Sequence, residues 1–112
     1  MSAEPLAVLV EMSVEELWQQ HRIAQFPVEL GGHDVDGVDY VMLDADIAGC
    51  VSTFLERKHA LDQWRTALLG LALGNVERLL PQLESSQREY FARLAQLARI
   101  VLHEVAQVAK DG

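Results

Sequence analysis

Cysteine is nearly absent: Cys50 is the only one in 112 residues. One thiol closes no internal disulfide and builds no structural zinc site by itself. The chain must therefore be held by its core, and it reads as a protein of the reducing cytoplasm. Three Pro and seven Gly are too few for a collagen-like or low-complexity chain. No run approaches the ~20 apolar residues that span a bilayer. The longest, Ala67–Gly74, falls well short, so no membrane partner is expected. The opening residues carry no Lys or Arg, and Glu4 and Glu11 flank Leu6–Val10, so no signal peptide is expected.

Basic residues are scarce where the acids are dense. The whole chain has 17 acids against nine Lys and Arg, a net charge of −8. Residues 1–56 hold eleven acids and one base, Arg22, which gives −10. Residues 57–112 hold eight bases and six acids, which gives +2. The first half would repel phosphate, so direct nucleic-acid binding is not expected. A half-chain of that sign would instead steer and select a basic protein partner.

Catalytic motifs are missing as well. The four histidines, His21, His33, His59 and His103, contain no pair three or four residues apart, and no His-Glu-x-x-His occurs. Gly31-Gly32 lacks the third Gly and the Lys-Ser/Thr of a phosphate loop. Ser52 and Thr53 have no nucleophile-elbow context. Cys50 reads as a small core hydrophobe whose acidic neighbours raise its pKa. The expectation is a non-enzymatic protein without a cofactor.

What is present is apolar patterning. Half of the residues are hydrophobic, enough for one helical domain over residues 1–112. Residues 1–12 stay open between strand, helix and tail, because Leu6–Val10 is too short for periodicity to decide. Ser13-Val14-Glu15-Glu16 is a capping box that starts a first helix, with Val14, Leu17, Trp18 and His21 on one face, ending before Pro27. Asp36-Gly37 between Val35 and Val38 signals a two-residue hairpin inside an acidic loop over residues 28–43. Asp44 is the expected N-cap of a second helix that runs to Lys58 and turns Ile47, Val51, Phe54 and Leu55 inward. A third helix is expected from Ala60 to Leu80, with the stripe Leu61, Trp64, Leu68, Leu71, Ala72, Val76 and Leu79. Its Gly70 and Gly74 mark an expected close approach of another helix. Ser86-Gln87-Arg88-Glu89 is a second capping box, and it starts a last helix near Ser85 or Ser86 that runs to Ala109. That helix carries the stripe Tyr90, Leu94, Leu97, Val101, Val105 and Val108.

The fold expected is mainly α: about four helices in a small bundle, with a short β-hairpin or extended loop between the first two. The last helix has a second apolar edge, Phe91, Ala95, Ala98 and Leu102. That edge predicts a homodimer with these residues at its interface. Trp18 and Trp64 both fall on apolar faces, and either one, if exposed, becomes an interface candidate. The functional expectation is an acidic interaction or regulatory protein that acts by protein–protein contact. Glu29, Asp34, Asp36, Asp39 and Tyr40 are the candidate partner-binding residues. The alternative is a metal site built from His33, Asp34, Asp36 and Asp39, since hard cations want clustered carboxylates beside a Gly. The loop is not of the EF-hand type: with Gly37 at the sixth position, Gly32 and Leu43 stand where an Asp and a Glu are required.

Overall fold

The computed structural model describes residues 12–32, 34–35 and 37–111. The open question about residues 1–12 lies outside the described residues except at Met12, which packs half-buried against the core. Among the described residues, four helices make the fold: α1 (Val14–Ile23), α2 (Tyr40–Glu56), α3 (Gln63–Leu79) and α4 (Ser85–Asp111). Between α1 and α2 lies a small antiparallel ladder of β1 (Asp34–Val35) and β2 (Val38–Asp39), in which Asp34 pairs with Asp39 and Val35 with Val38. Gly37 supplies the positive φ of +79° that the turn between them requires.

The first helix begins where local chemistry says it should. Ser13 Oγ accepts the Glu16 N–H at 3.1 Å, and Glu16 Oε1 accepts the Ser13 N–H at 2.9 Å. The cap of the second helix is Asp39, five residues before the expected Asp44. Asp39 Oδ1 accepts from the N–H groups of Val41, at 2.7 Å, and Met42, at 3.0 Å. Tyr40 and Met42, which alternate like strand residues in the sequence, are therefore helical. Replacing Asp39 by Ala should cost about 1 kcal/mol, read as a lower urea midpoint with an unchanged slope.

The end of α2 is a Schellman-type stop at Glu56, not a helix reaching Lys58. Lys58 takes the left-handed conformation at φ 56°, and the His59 N–H donates to the Phe54 carbonyl at 2.8 Å. The apolar contact that accompanies this motif is made by the His59 ring, stacked on Phe54 with centroids 4.7 Å apart. The third helix starts at Gln63, later than the expected Ala60, because Asp62 is its cap and accepts the Arg65 N–H at 3.2 Å. At the start of α4 a single side-chain cap, earlier in the chain, stands in place of the expected box at Ser86. Gln87 Oε1 accepts the N–H of Glu84, the residue just before the helix, at 3.1 Å.

The central element is α4, which packs against α1, α2 and α3. This explains why it is apolar over more than one stripe. Leu94, Ala95, Leu97, Ala98 and Val101 are all fully buried within the single chain. Phe91 is 1% exposed and Leu102 is half-buried against the same core. The expected dimer interface of Phe91, Ala95, Ala98 and Leu102 is thus corrected: the neighbours that edge demands are the chain's own helices. Val108, at the outer end of the stripe, is exposed.

Two expectations for α3 are also corrected. Its buried face is Leu69, Ala72, Val76 and Leu79, while Trp64 and Leu71 are 62% and 71% exposed. Both Gly70 and Gly74 are exposed, and a Cβ placed at either would meet nothing within 4 Å. Among the described residues, no other helix approaches them.

Candidate functional site

The acidic loop is where the sequence places partner or metal binding. His33 and Asp36 lie outside the described residues. Tyr40 is 3% exposed and belongs to the core, where its ring meets Phe91 edge-on at 5.5 Å. Burial raises its phenol pKa and also removes it from any partner's reach. The Asp39 carboxylate is engaged as the α2 cap. Glu29 Oε2 accepts from Gln87 Nε2 at 3.0 Å, and that bond holds its carboxyl below the usual range. For Asp34, only its backbone place in the ladder is described. Among the described residues, no three His, Cys, Asp or Glu side chains gather to hold a metal. The loop therefore does not assemble Glu29, Asp39 and Tyr40 into one binding surface.

A different face collects exposed apolar side chains. Along the outside of the α2–α3 seam, Met42 is 58% exposed and shares a hollow with the exposed Leu71 and the half-buried Leu68, while the exposed Trp64 lines the next hollow with Leu68. Two shallow hollows run end to end there. One, of about 280 Å³, is lined by Met42, Asp46, Leu68, Leu71, Ala72 and Asn75, among others. The other, of about 250 Å³, is lined by Ala45, Asp46, Gly49, Thr53, Trp64 and Leu68, among others. Asp46 and Leu68 line both, so the two hollows adjoin and are read together as the groove of this face.

Helical spacing explains why this face is bare. Trp64, Ala67, Leu71 and Gly74 follow one another at steps of three, four and three, a second apolar stripe on α3. It lies opposite the buried stripe, and every one of these four residues is exposed. From α2, Ala45 and Gly49 add small exposed residues at a four-residue step. The face is thus a row of large knobs beside low backbone, the relief that helix packing uses. The Arg65 guanidinium lies over the Trp64 ring at 4.6 Å and reaches Asp62 Oδ1 at 2.7 Å, which fixes the near end of the stripe. Asp62 is held below the usual carboxylate range, chiefly by this bond. The sequence marks Trp64 as an interface candidate if exposed. It does not single out Met42 or Leu71, although the doubled stripe on α3 is a readable signal.

Two buried features bear on reactivity. The Cys50 thiol is buried and donates to the Arg65 carbonyl at 3.6 Å. Burial, then the charge of Asp46, pushes its pKa up, so it is a poor thiolate, as the sequence leads one to expect. Asp44 is inward-directed and joins two helices to its own. His21 Nε2 lies 3.2 Å from Asp44 Oδ1, and Tyr90 donates its hydroxyl to Asp44 Oδ2 at 2.9 Å. His21 is 6% exposed and its Nδ1 has no partner among the described residues. Burial, reinforced by the Asp44 charge, pushes the Tyr90 phenol well above its usual range. Aromatic rings close around the trio: Trp18 stacks on His21 at 5.9 Å, and Phe26 meets Tyr90 edge-on at 5.6 Å. The trio serves as a polar tie between α1, α2 and α4. His103 is exposed on α4, and no helix among the described residues is long and apolar enough to cross a membrane.

Comparison of the chain with protein-family models, with curated proteins and with solved structures gave no match.

Proposed function

We propose that this protein acts by protein–protein contact rather than catalysis, in the cytoplasm, and that its contact face is the groove between α2 and α3, occupied by a second copy of the chain. The observation that carries the reading is the set of exposed apolar side chains Met42, Trp64 and Leu71 around two adjoining hollows. Isolated exposed hydrophobics are ordinary, but adjoining ones around a groove mark interaction sites.

A second copy suits the face for two reasons. A two-fold contact needs one patch to be complementary to itself, and knobs such as Trp64 and Leu71 lie beside low ground at Gly49, Ala45 and Gly74. The charges bordering the groove are of both signs, Asp39, Asp46 and Arg65, so two copies can pair them crosswise. Elsewhere the first half of the chain is almost uniformly acidic and would repel itself.

Sedimentation equilibrium tests the reading. The wild type should pass from monomer to dimer mass as concentration rises. Leu71→Glu should weaken association by about 100-fold or more, because a buried unpaired charge costs several kcal/mol. It should leave folding stability within about 0.5 kcal/mol, since the residue is exposed in the single chain. A wild type that stays monomeric throughout, or a Leu71→Glu protein that dimerises like it, would overturn the reading.

A further inference from the structure

One imidazole joins three parts of the fold that are far apart in sequence. His59 sits in the loop between α2 and α3, with its backbone in the left-handed region at φ 66°. Its Nε2 lies 2.6 Å from Glu15 Oε2, at the start of α1. Its Nδ1 lies 2.9 Å from Glu104 Oε1, in the second half of α4. The ring is fixed from a third side by its stack on Phe54. Two consecutive non-glycine residues at positive φ, Lys58 and His59, are an unfavourable backbone that the surroundings must hold in place.

The donor count defines the state of the ring. An ionised carboxylate only accepts, and it can receive a hydrogen bond only from a ring nitrogen that bears a proton. A neutral imidazole has one N–H and one lone pair, so it serves one glutamate and turns a lone pair toward the other. Only the imidazolium donates to both. We propose that His59 is a proton-operated latch: as an imidazolium it ties the start of α1 to α4 across the α2–α3 loop, and as a neutral ring it lets one of the two glutamates go.

The electrostatic surroundings agree. Glu15 on α1 and Glu104 on α4 are the charged groups facing the ring from the helices packed around it, and α2 presents the uncharged Phe54. Within the loop, Arg57 Nη1 is engaged with Asp62 Oδ1 at 3.1 Å and Lys58 is exposed, while His103, next to Glu104, is also exposed. The hydrogen bond to Glu15, then that to Glu104, raises the His59 pKa. The bond to His59 in turn holds the Glu15 carboxyl below its usual range. The signs follow from linkage. The His59 contribution is complete below the ordinary imidazole value of about 6.5 and is lost as pH rises through the raised folded value. The Glu15 contribution is present above the ordinary carboxyl range and is lost as pH falls through its lowered value. The latch is therefore closed in mildly acidic solution and opens on the alkaline side.

Two measurements on the full chain test this. In an NMR titration, the His59 ring should titrate with a midpoint above 6.5, and Glu15→Gln and Glu104→Gln should each bring that midpoint down. Both replaced side chains are substantially exposed, so the variants fold. Amide exchange at the start of α1 or around Glu104 in α4, corrected for intrinsic rates, should speed up as pH crosses the wild-type midpoint, according to which glutamate the neutral ring releases. In His59→Gln the same amides should show no such step. A His59 midpoint at or below 6.5, or protection that stays level across it both at the start of α1 and around Glu104, would overturn the latch.

Discussion

Phe91→Ala is expected to destabilise the protein by about 3–5 kcal/mol, a large part of the ~5–15 kcal/mol that keeps a domain folded. The ring is 1% exposed and touches aromatic neighbours on every side: Tyr90 at 5.3 Å, Tyr40 at 5.5 Å and Phe26 at 6.2 Å between centroids. Its removal leaves a cavity that four helices cannot easily collapse around. Trp64→Ala removes a larger side chain and should cost no more than about 0.5 kcal/mol, because that side chain is mostly in water. Urea unfolding followed by circular dichroism, at a concentration where both proteins are monomeric, compares the two. A Phe91→Ala protein that stays stable but no longer self-associates would return the interface to α4.

Asp44→Ala is expected to cost about 3 kcal/mol. The substitution strands two polar groups at once, the His21 imidazole and the Tyr90 hydroxyl, and each stranded buried group costs about 1–3 kcal/mol. His21 starts at a disadvantage, since its Nδ1 already lacks a partner among the described residues. Tyr90→Phe removes a donor and leaves Asp44 bonded to His21, so it should cost only about 1 kcal/mol. Asp44→Asn keeps the shape and an acceptor, and should fall between Asp44→Ala and wild type. Of the three variants, Asp44→Ala should have the lowest urea midpoint. A fully stable Asp44→Ala would mean that the carboxylate ties nothing together.

These residues also mark how far the sequence could be read. Local chemistry was legible. The Ser13–Glu16 box fixes the start of α1, and Asp36-Gly37 marks the turn between β1 and β2. The four-helix outcome follows from helical periodicity. What depends on distant partners was not legible. Asp39 and Asp44 are equally good caps by residue type, and the choice falls to Asp39 because Asp44 is needed by His21 and Tyr90, 23 and 46 residues away. Two apolar stripes on α3 look alike in sequence, and only packing decides that Leu69 goes in and Trp64 stays out. Two apolar edges on α4 suggest a second copy, whereas the remaining neighbours are α1, α2 and α3 themselves. The meeting of Glu15, His59 and Glu104 has no signature in sequence at all, since the two bonded pairs are separated by 44 and 45 residues.

The proposed contact face on α2 and α3 is tested most directly by Trp64 itself. A Trp18→Phe variant leaves Trp64 as the sole tryptophan. Its emission should report solvent at low concentration and move to the blue as concentration rises, over the same range in which sedimentation shows the mass doubling. Emission that stays solvent-like while the mass doubles would place the dimer contact elsewhere, and a mass that never doubles would contradict the dimer itself.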